Sequence, residues 1–362
     1  MFQTAWTQQE AGNLGRAEVA YRRVLAIGKL GADDDRLLWS HLGLGDIFKM
    51  LGRLNASLGQ YREGREMADR LTRVEPDIDK WQRDLSASMN KLGDVFKLQG
   101  KLPEARDAYS SAVTIERQLA NSDSGDPRLL RAQAVSLQKM GDMWMASGNL
   151  LEALKAYRQE QTTAEFLARS DASNASRQYD FAGTYILIGD VLTLQGNLKE
   201  ALKVFRDGSS IFDTLAKADP NDNLLQHNLA VSESRVAGTQ LALGNLPEAL
   251  TIYHDRAAIA LRLANTDPNN TFWLRDLSVA YEEVGNVLIL EGNLREALNA
   301  YRSSLAIRDR LTKSDPGNAG WQRDLAVSHT KVAYQQIGRQ DHSNNRIEKG
   351  ARDQCAAGRA LA

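Results

Sequence analysis

Cysteine is almost missing from this chain: Cys355 is the only one in 362 residues, which excludes an internal disulfide. An excess of one charge is missing as well. Lys and Arg number 45 against 46 Asp and Glu, a net charge of -1, so the broad basic footprint that a phosphate backbone requires is not there, and nucleic acid is not an expected partner. No apolar run approaches the roughly eighteen residues of a membrane span. The opening MFQTAWTQQE has neither the charged nor the apolar part of a secretion signal. These absences lead to the expectation of a cytoplasmic chain with no membrane partner.

What the sequence has in abundance is itself. QGKLPEARDAY from residue 99 returns as SGNLLEALKAY, QGNLKEALKVF, LGNLPEALTIY and EGNLREALNAY. The glycines Gly52, Gly100, Gly148, Gly196, Gly244 and Gly292 follow one another at a constant 48 residues, and Trp81, Trp273 and Trp321 keep the same register. So do Pro76, Pro220, Pro268 and Pro316. A fixed period in this range signals stacked supersecondary units rather than separate domains. Gly12 opens an earlier copy only 40 residues before Gly52.

Within the unit 81–128, Leu85, Met89, Leu92 and Phe96 form one helical stripe, and Ala108, Ala112, Ile115 and Leu119 form a second after the glycine turn. Each unit is therefore two helices of about 18 residues, roughly 27 Å long. Glu104, Glu152, Glu200, Glu248 and Glu296 fall in the first turn of the second helix, where negative charge suits the helix dipole. The expected boundaries are a truncated or capping first repeat at 1–32, then repeats 33–80, 81–128, 129–176, 177–224, 225–272 and 273–320. A degenerate last repeat with a capping helix follows at 321–362, all in one solenoid. The copy at 225–272 departs most, with Glu233 and Gln240 where apolar residues stand elsewhere.

No constellation of nucleophile, base or metal ligands emerges, so no catalytic residue, metal or cofactor is expected. His41, His227, His254, His329 and His342 occupy unrelated phases of the repeat and are expected at the surface or between helices. The QGNL turns join helix to helix without a strand or a Gly-Lys-Ser ending, so they are not phosphate cradles. The three tryptophans stand at helix starts beside a proline turn and are expected to cover the loop rather than to form a ligand platform.

LGDVFKLQGKLPEARDAYSSA, residues 92–112, resembles the core of a tetratricopeptide repeat: Leu92 and Gly93, the aromatic Phe96, the turn Gly100, then Ala105, Tyr109 and Ala112. The usual period is 34; here both helices are longer, and Arg117 replaces the family's closing proline. In that the chain is similar to kinesin light chains and to bacterial long-repeat proteins of this superfamily. The resemblance implies an all-α, right-handed α-α superhelix of about seven hairpins with a concave groove lined by the first helix of each unit.

In the family, the residue after the conserved glycine, the one three further on and the one four before face that groove. The middle row is Asp46, Asp94, Asp142, Asp190, Gly238 and Asn286. Beside it run Lys49, Lys97, Met145, Thr193, Leu241 and Ile289, and on the other side Leu42, Asn90, Gln138, Ile186, Ser234 and Glu282. The expected partner-contacting set is Asn90, Asp94, Lys97, Gln138, Asp142, Met145, Ile186, Asp190, Thr193, Leu241, Glu282, Asn286 and Ile289. Asp46 and Lys49, Asp94 and Lys97, and Lys139 and Asp142 are spaced as ion pairs along one helix, which offers the acidic row a plain solvated role. These rows drift from charged to apolar, so the expected partner is a peptide or protein with a basic segment followed by an apolar one. Asp stands where carboxylate-binding relatives carry Lys and Asn, which argues against an acidic tail. The expected role is a non-catalytic scaffold or adaptor, with the sensor of a bacterial signalling or defence protein as one setting. Self-association through the terminal repeats, into dimers or filaments, is the alternative.

Overall fold

The computed structural model describes residues 2–28, 34–122 and 125–335, and every regular element among them is an α-helix. First helices are α1 (Phe2–Glu10), α3 (Asp34–Met50), α5 (Asp79–Leu98), α7 (Pro127–Ala146), α9 (Ala175–Leu194), α11 (Asn223–Ala242) and α13 (Thr271–Leu290). Second helices are α2 (Leu14–Gly28), α4 (Leu54–Val74), α6 (Leu102–Ser122), α8 (Leu150–Ser170), α10 (Leu198–Ala218), α12 (Leu246–Thr266) and α14 (Leu294–Ser314). Helix α15 starts at 319 and continues through 335.

The helices run longer than their apolar stripes suggest, 20 residues in α5 and 21 in α6. Side chains cap the starts of four first helices. Asp126, Asn174, Asp222 and Asn270, one period apart, accept backbone N–H bonds from the first turns of α7, α9, α11 and α13. Ile78, in the same place, offers no side-chain cap.

Each hairpin turns at a left-handed glycine, with φ between 71° at Gly52 and 87° at Gly244. At Gly100 this places the Lys101 N–H on the Phe96 carbonyl at 2.9 Å and the Gly100 N–H on the Lys97 carbonyl at 3.0 Å, closing the last turn of α5. A side chain at that φ would be strained.

Two compact units emerge, Met1–Gln195 and Gly196–Ala362, with the boundary at a turn glycine inside the stretch 177–224. In the first, α3, α4 and α5 share a core of Leu38, Leu42, Leu58, Tyr61, Leu71, Leu92 and Val95, with Trp81 packed beside it. In the second, Tyr253, Ala257, Leu277, Val284 and Val287 bring α12 and α13 together, and Trp273 and Trp321 lie against them. Small residues set the spacing. Ala105, Ala153, Ala249 and Ala297 are fully buried, and Ser57, in the same row, donates its hydroxyl to the Gly45 carbonyl at 2.7 Å. A β-carbon at Gly93 would lie 2.5 Å from the Tyr109 ring, so the tyrosine of the second helix rests directly on the backbone of the first. In the odd copy at 225–272 Gln240 is buried and the Asn245 amide donates to its side-chain oxygen at 2.8 Å, while the buried Oε2 of Glu233 makes no hydrogen bond. Cys355, His342 and most of the segment read as a terminal cap lie outside the described residues.

Candidate functional site

That tyrosine contact organises the acidic row of the first unit. The Tyr61 hydroxyl of α4 donates to Asp46 Oδ1 on α3 at 2.6 Å. Lys91 of α5 donates to both oxygens of the same carboxylate, at 2.8 and 2.7 Å. One period on, Tyr109 donates to Asp94 at 2.8 Å and Lys139 donates to both Asp94 oxygens at 2.7 and 2.9 Å. Each aspartate thus joins its own second helix to the next first helix. Burial first, then the adjacent aspartate, raises all three phenols of this ladder, Tyr61, Tyr109 and Tyr157, above their ordinary value.

This changes how the acidic row reads. Lys139 does not pair with Asp142, three residues on, but reaches back to Asp94 in the previous repeat. Side chains on a helix lean toward its N-terminus, which carries Lys139 away from Asp142 and toward the neighbouring helix. Lys49 lies between Asp46 at 3.9 Å and Asp94 at 3.7 Å. Lys97 stands 3.9 Å from Asp142.

The ladder changes at the third step. The Tyr157 hydroxyl donates to Asp142 at 2.7 Å as before, but the residue one period after Lys139 is Leu187. Three residues beyond Tyr157 on α8 lies Glu160, only 7% exposed, whose Oε2 makes no hydrogen bond. Burial, and then repulsion from Asp142 and Asp180, pushes its carboxyl up to about 8. Sequence reasoning passed over Glu160. Its signal was there, because the row reads Gly64, Ala112, Glu160, Gly208, Arg256 and Ser304, and two large charged residues, Glu160 and Arg256, stand among small ones.

The other residues expected on the face of the first unit are placed as follows. Asn90 is buried and donates to Ser136 at 2.8 Å, so it ties α5 to α7. Leu42, in the same row, belongs to the core. Gln138, Met145, Ile186 and Asp190 are half-buried, and Thr193 is exposed, its hydroxyl turned back to the Gly189 carbonyl at 2.8 Å.

In the second unit the same ladder step uses an amide. Tyr301 donates to Asn286 Oδ1 at 2.9 Å, and Lys331 of α15 donates to the same oxygen at 2.9 Å. Glu282 is held by Arg308 at 2.6 Å and by Lys331. Leu241 and Ile289 are half-buried against the core of this unit. The same small row supplies Arg256, 3% exposed, which meets Asp276 at 2.8 Å and Glu283 at 3.1 Å. His227 stands 3.4 Å from Asp276 and packs on Phe272 and Trp273. Among the described residues no group of three His, Cys, Asp or Glu side chains is arranged to hold a metal ion.

No family model matches the chain, and no curated protein does. Solved structures do. The chain is similar to BtubC (BKLC) from P. vanneervenii, at 14% identity over 72% of this chain and 92% of that one, with a TM-score of 0.56. It is similar to the apo form of RapI, at 13% identity over 86% of this chain and 97% of that one, with a TM-score of 0.53. A signal-transduction ATPase with numerous domains from Pyrococcus horikoshii, which carries a tetratricopeptide repeat sensor, matches at 14% identity and a TM-score of 0.50. That match covers 92% of this chain and 46% of the archaeal one. These likenesses give the chain the fold of tetratricopeptide-repeat proteins.

Proposed function

We propose that this chain is a non-catalytic scaffold that docks a peptide or protein segment along the face of its first helices. The basic part of that segment lies on the first unit, at Asp142 and its neighbours Lys97, Gln138 and Met145. Its apolar part lies on the second, at Leu241 and Ile289. One observation carries this reading. The rows that build the repeat, Tyr109 with Gly93 and Ala105, are buried and constant in kind, while the face beside them holds half-buried side chains whose chemistry changes from repeat to repeat. Such variation is what a surface needs to choose among partners. The repeats of the Pyrococcus horikoshii protein are a sensor, and a sensing or docking role in a bacterial cytoplasm is the setting we propose here.

An array of random dodecapeptides probed with the full chain tests the reading. Bound peptides should be enriched in Lys or Arg followed by apolar residues, and their binding should weaken about tenfold between 50 and 500 mM salt. Ile289→Asp should remove the apolar preference and leave the basic one. Acidic peptides among the winners, or binding indifferent to salt, would refute it.

A further inference from the structure

Resting on that docking reading, we infer that Asp142 and Glu160 form a seat for the ammonium group of a lysine side chain supplied by the docked segment. The protein's own repeats show what such a seat holds. Asp46 beside Tyr61 takes Lys91, and Asp94 beside Tyr109 takes Lys139, each ammonium bonded to both carboxylate oxygens at 2.7 to 2.9 Å. Lys91 also stands 5.7 Å from the centre of the Tyr61 ring. The third copy repeats the aspartate and the tyrosine, bonded at 2.7 Å, but has Leu187 in the lysine's register position.

A missing lysine alone would leave an ordinary surface aspartate. Glu160 makes the place unusual. It shares a face of α8 with Tyr157, is more than nine-tenths buried, and its Oε2 finds no hydrogen-bond donor. A buried carboxyl without a partner is costly. Asp142 and Asp180 both act on its charge, and the cations nearby are otherwise placed. Arg131 is on Asp180 at 3.2 Å, Lys139 is on Asp94, and Lys97 is 3.9 Å from Asp142, beyond hydrogen-bond reach. Asp142 itself keeps 38% of its side chain exposed, which leaves a way in. Once the incoming ammonium displaces the proton that Glu160 otherwise keeps, its three donors suit three acceptor oxygens shared by Asp142 and Glu160. Leu187, where a lysine stem runs in the other repeats, would line the aliphatic part of the incoming side chain.

The test uses the full chain in two arms. In the first, dodecapeptides bound on the array are compared with the same peptides carrying acetyl-lysine. Wild type should prefer the free lysine by about tenfold or more. Leu187→Lys, which gives the third repeat the residue of the first two, should lose that preference. In the second arm, the chain is labelled with carbon-13 at glutamate carboxyls, and the Glu160 line is assigned by its loss in Glu160→Gln. Titration with n-butylammonium chloride should shift that line to saturation in wild type and leave it unmoved in Leu187→Lys; tetramethylammonium, which has no donors, should not move it. Peptides that bind equally with lysine or acetyl-lysine would overturn the seat while leaving the docking reading in place. No bound peptide at all, with the Glu160 line still answering butylammonium, would overturn the docking reading and keep the seat. A Glu160 line that answers only after Lys97→Met would show that the seat is filled from within, and the inference would fall.

Discussion

Arg256→Ala should cost about 3–5 kcal/mol of stability at neutral pH, the usual penalty for breaking a buried pair from one side. The side chain is 3% exposed and bridges Asp276 at 2.8 Å and Glu283 at 3.1 Å. The two acids already respond differently to their place. Burial pushes Asp276 up, but His227 and Arg256 outweigh it and hold the carboxyl below its usual range. For Glu283 burial prevails over Arg256 and Ser234, and its carboxyl sits above the usual value. With the guanidinium gone, Glu283 keeps the burial that raises its carboxyl and loses the charge that most opposed it, so its penalty is full above its raised native value and fades as pH falls toward the ordinary 4.5. The defect, measured as the urea midpoint of the variant against wild type, should therefore be largest near pH 7 and shrink at pH 3.5. Adding Asp276→Asn and Glu283→Gln should restore most of the midpoint, because no charge is then left buried alone. A defect equal at both pH values would show that Arg256 acts through packing and not through its charge.

Glu160→Gln should act in the opposite direction and stabilise the protein at alkaline pH. The carboxyl rises from its ordinary 4.5 to about 8 on folding. The unfolded chain therefore gives up its proton near pH 4.5, while the native state keeps it until about 8. Over that window the native state binds more protons, so stability falls as pH rises and then levels off. The full shift corresponds to a penalty on the order of 5 kcal/mol in the wild-type protein above pH 8, and to none at pH 4. Glutamine cannot ionise, so the variant should match wild type at pH 4 and exceed it by several kcal/mol at pH 9. Paired denaturation curves at the two pH values measure this. A variant that is destabilised at pH 9 would mean that the ionised carboxylate has a partner in the native state.

The period, the hairpin and the turn glycines were legible because each depends on residues close in sequence. Gly100 turns the chain whatever lies beyond it, and the stripe from Leu85 to Phe96 needs only the geometry of one helix. The acidic row was legible as a row but not in its role. Asp94 is bonded by Tyr109, fifteen residues on, and by Lys139, forty-five residues on, and neither partner follows from spacing along one helix. The exceptions to the small row were harder still. Glu160 and Arg256 look like ordinary surface charges until α9 and α13 pack over them, and only the comparison with Gly64 and Ala112 marks those positions as interior. The helix starts at Asp126, Asn174, Asp222 and Asn270 were readable as caps, yet they were hidden among the polar residues of the loops. Nothing in the even 48-residue register foretold a division at Gln195.

Excision of residues 81–128 tests most directly whether the repeat is the structural unit. Removing one whole period takes out Asp94, Lys91 and Tyr109 together and brings Lys139 to the place of Lys91 beside Asp46, so that every row closes again. The shortened chain should keep the helical circular dichroism per residue of the full one and unfold in a single cooperative transition. Removing 46 residues instead turns the following helix by about 200° and should abolish that transition. Loss of helicity after the 48-residue excision, or equal tolerance of both excisions, would contradict the account.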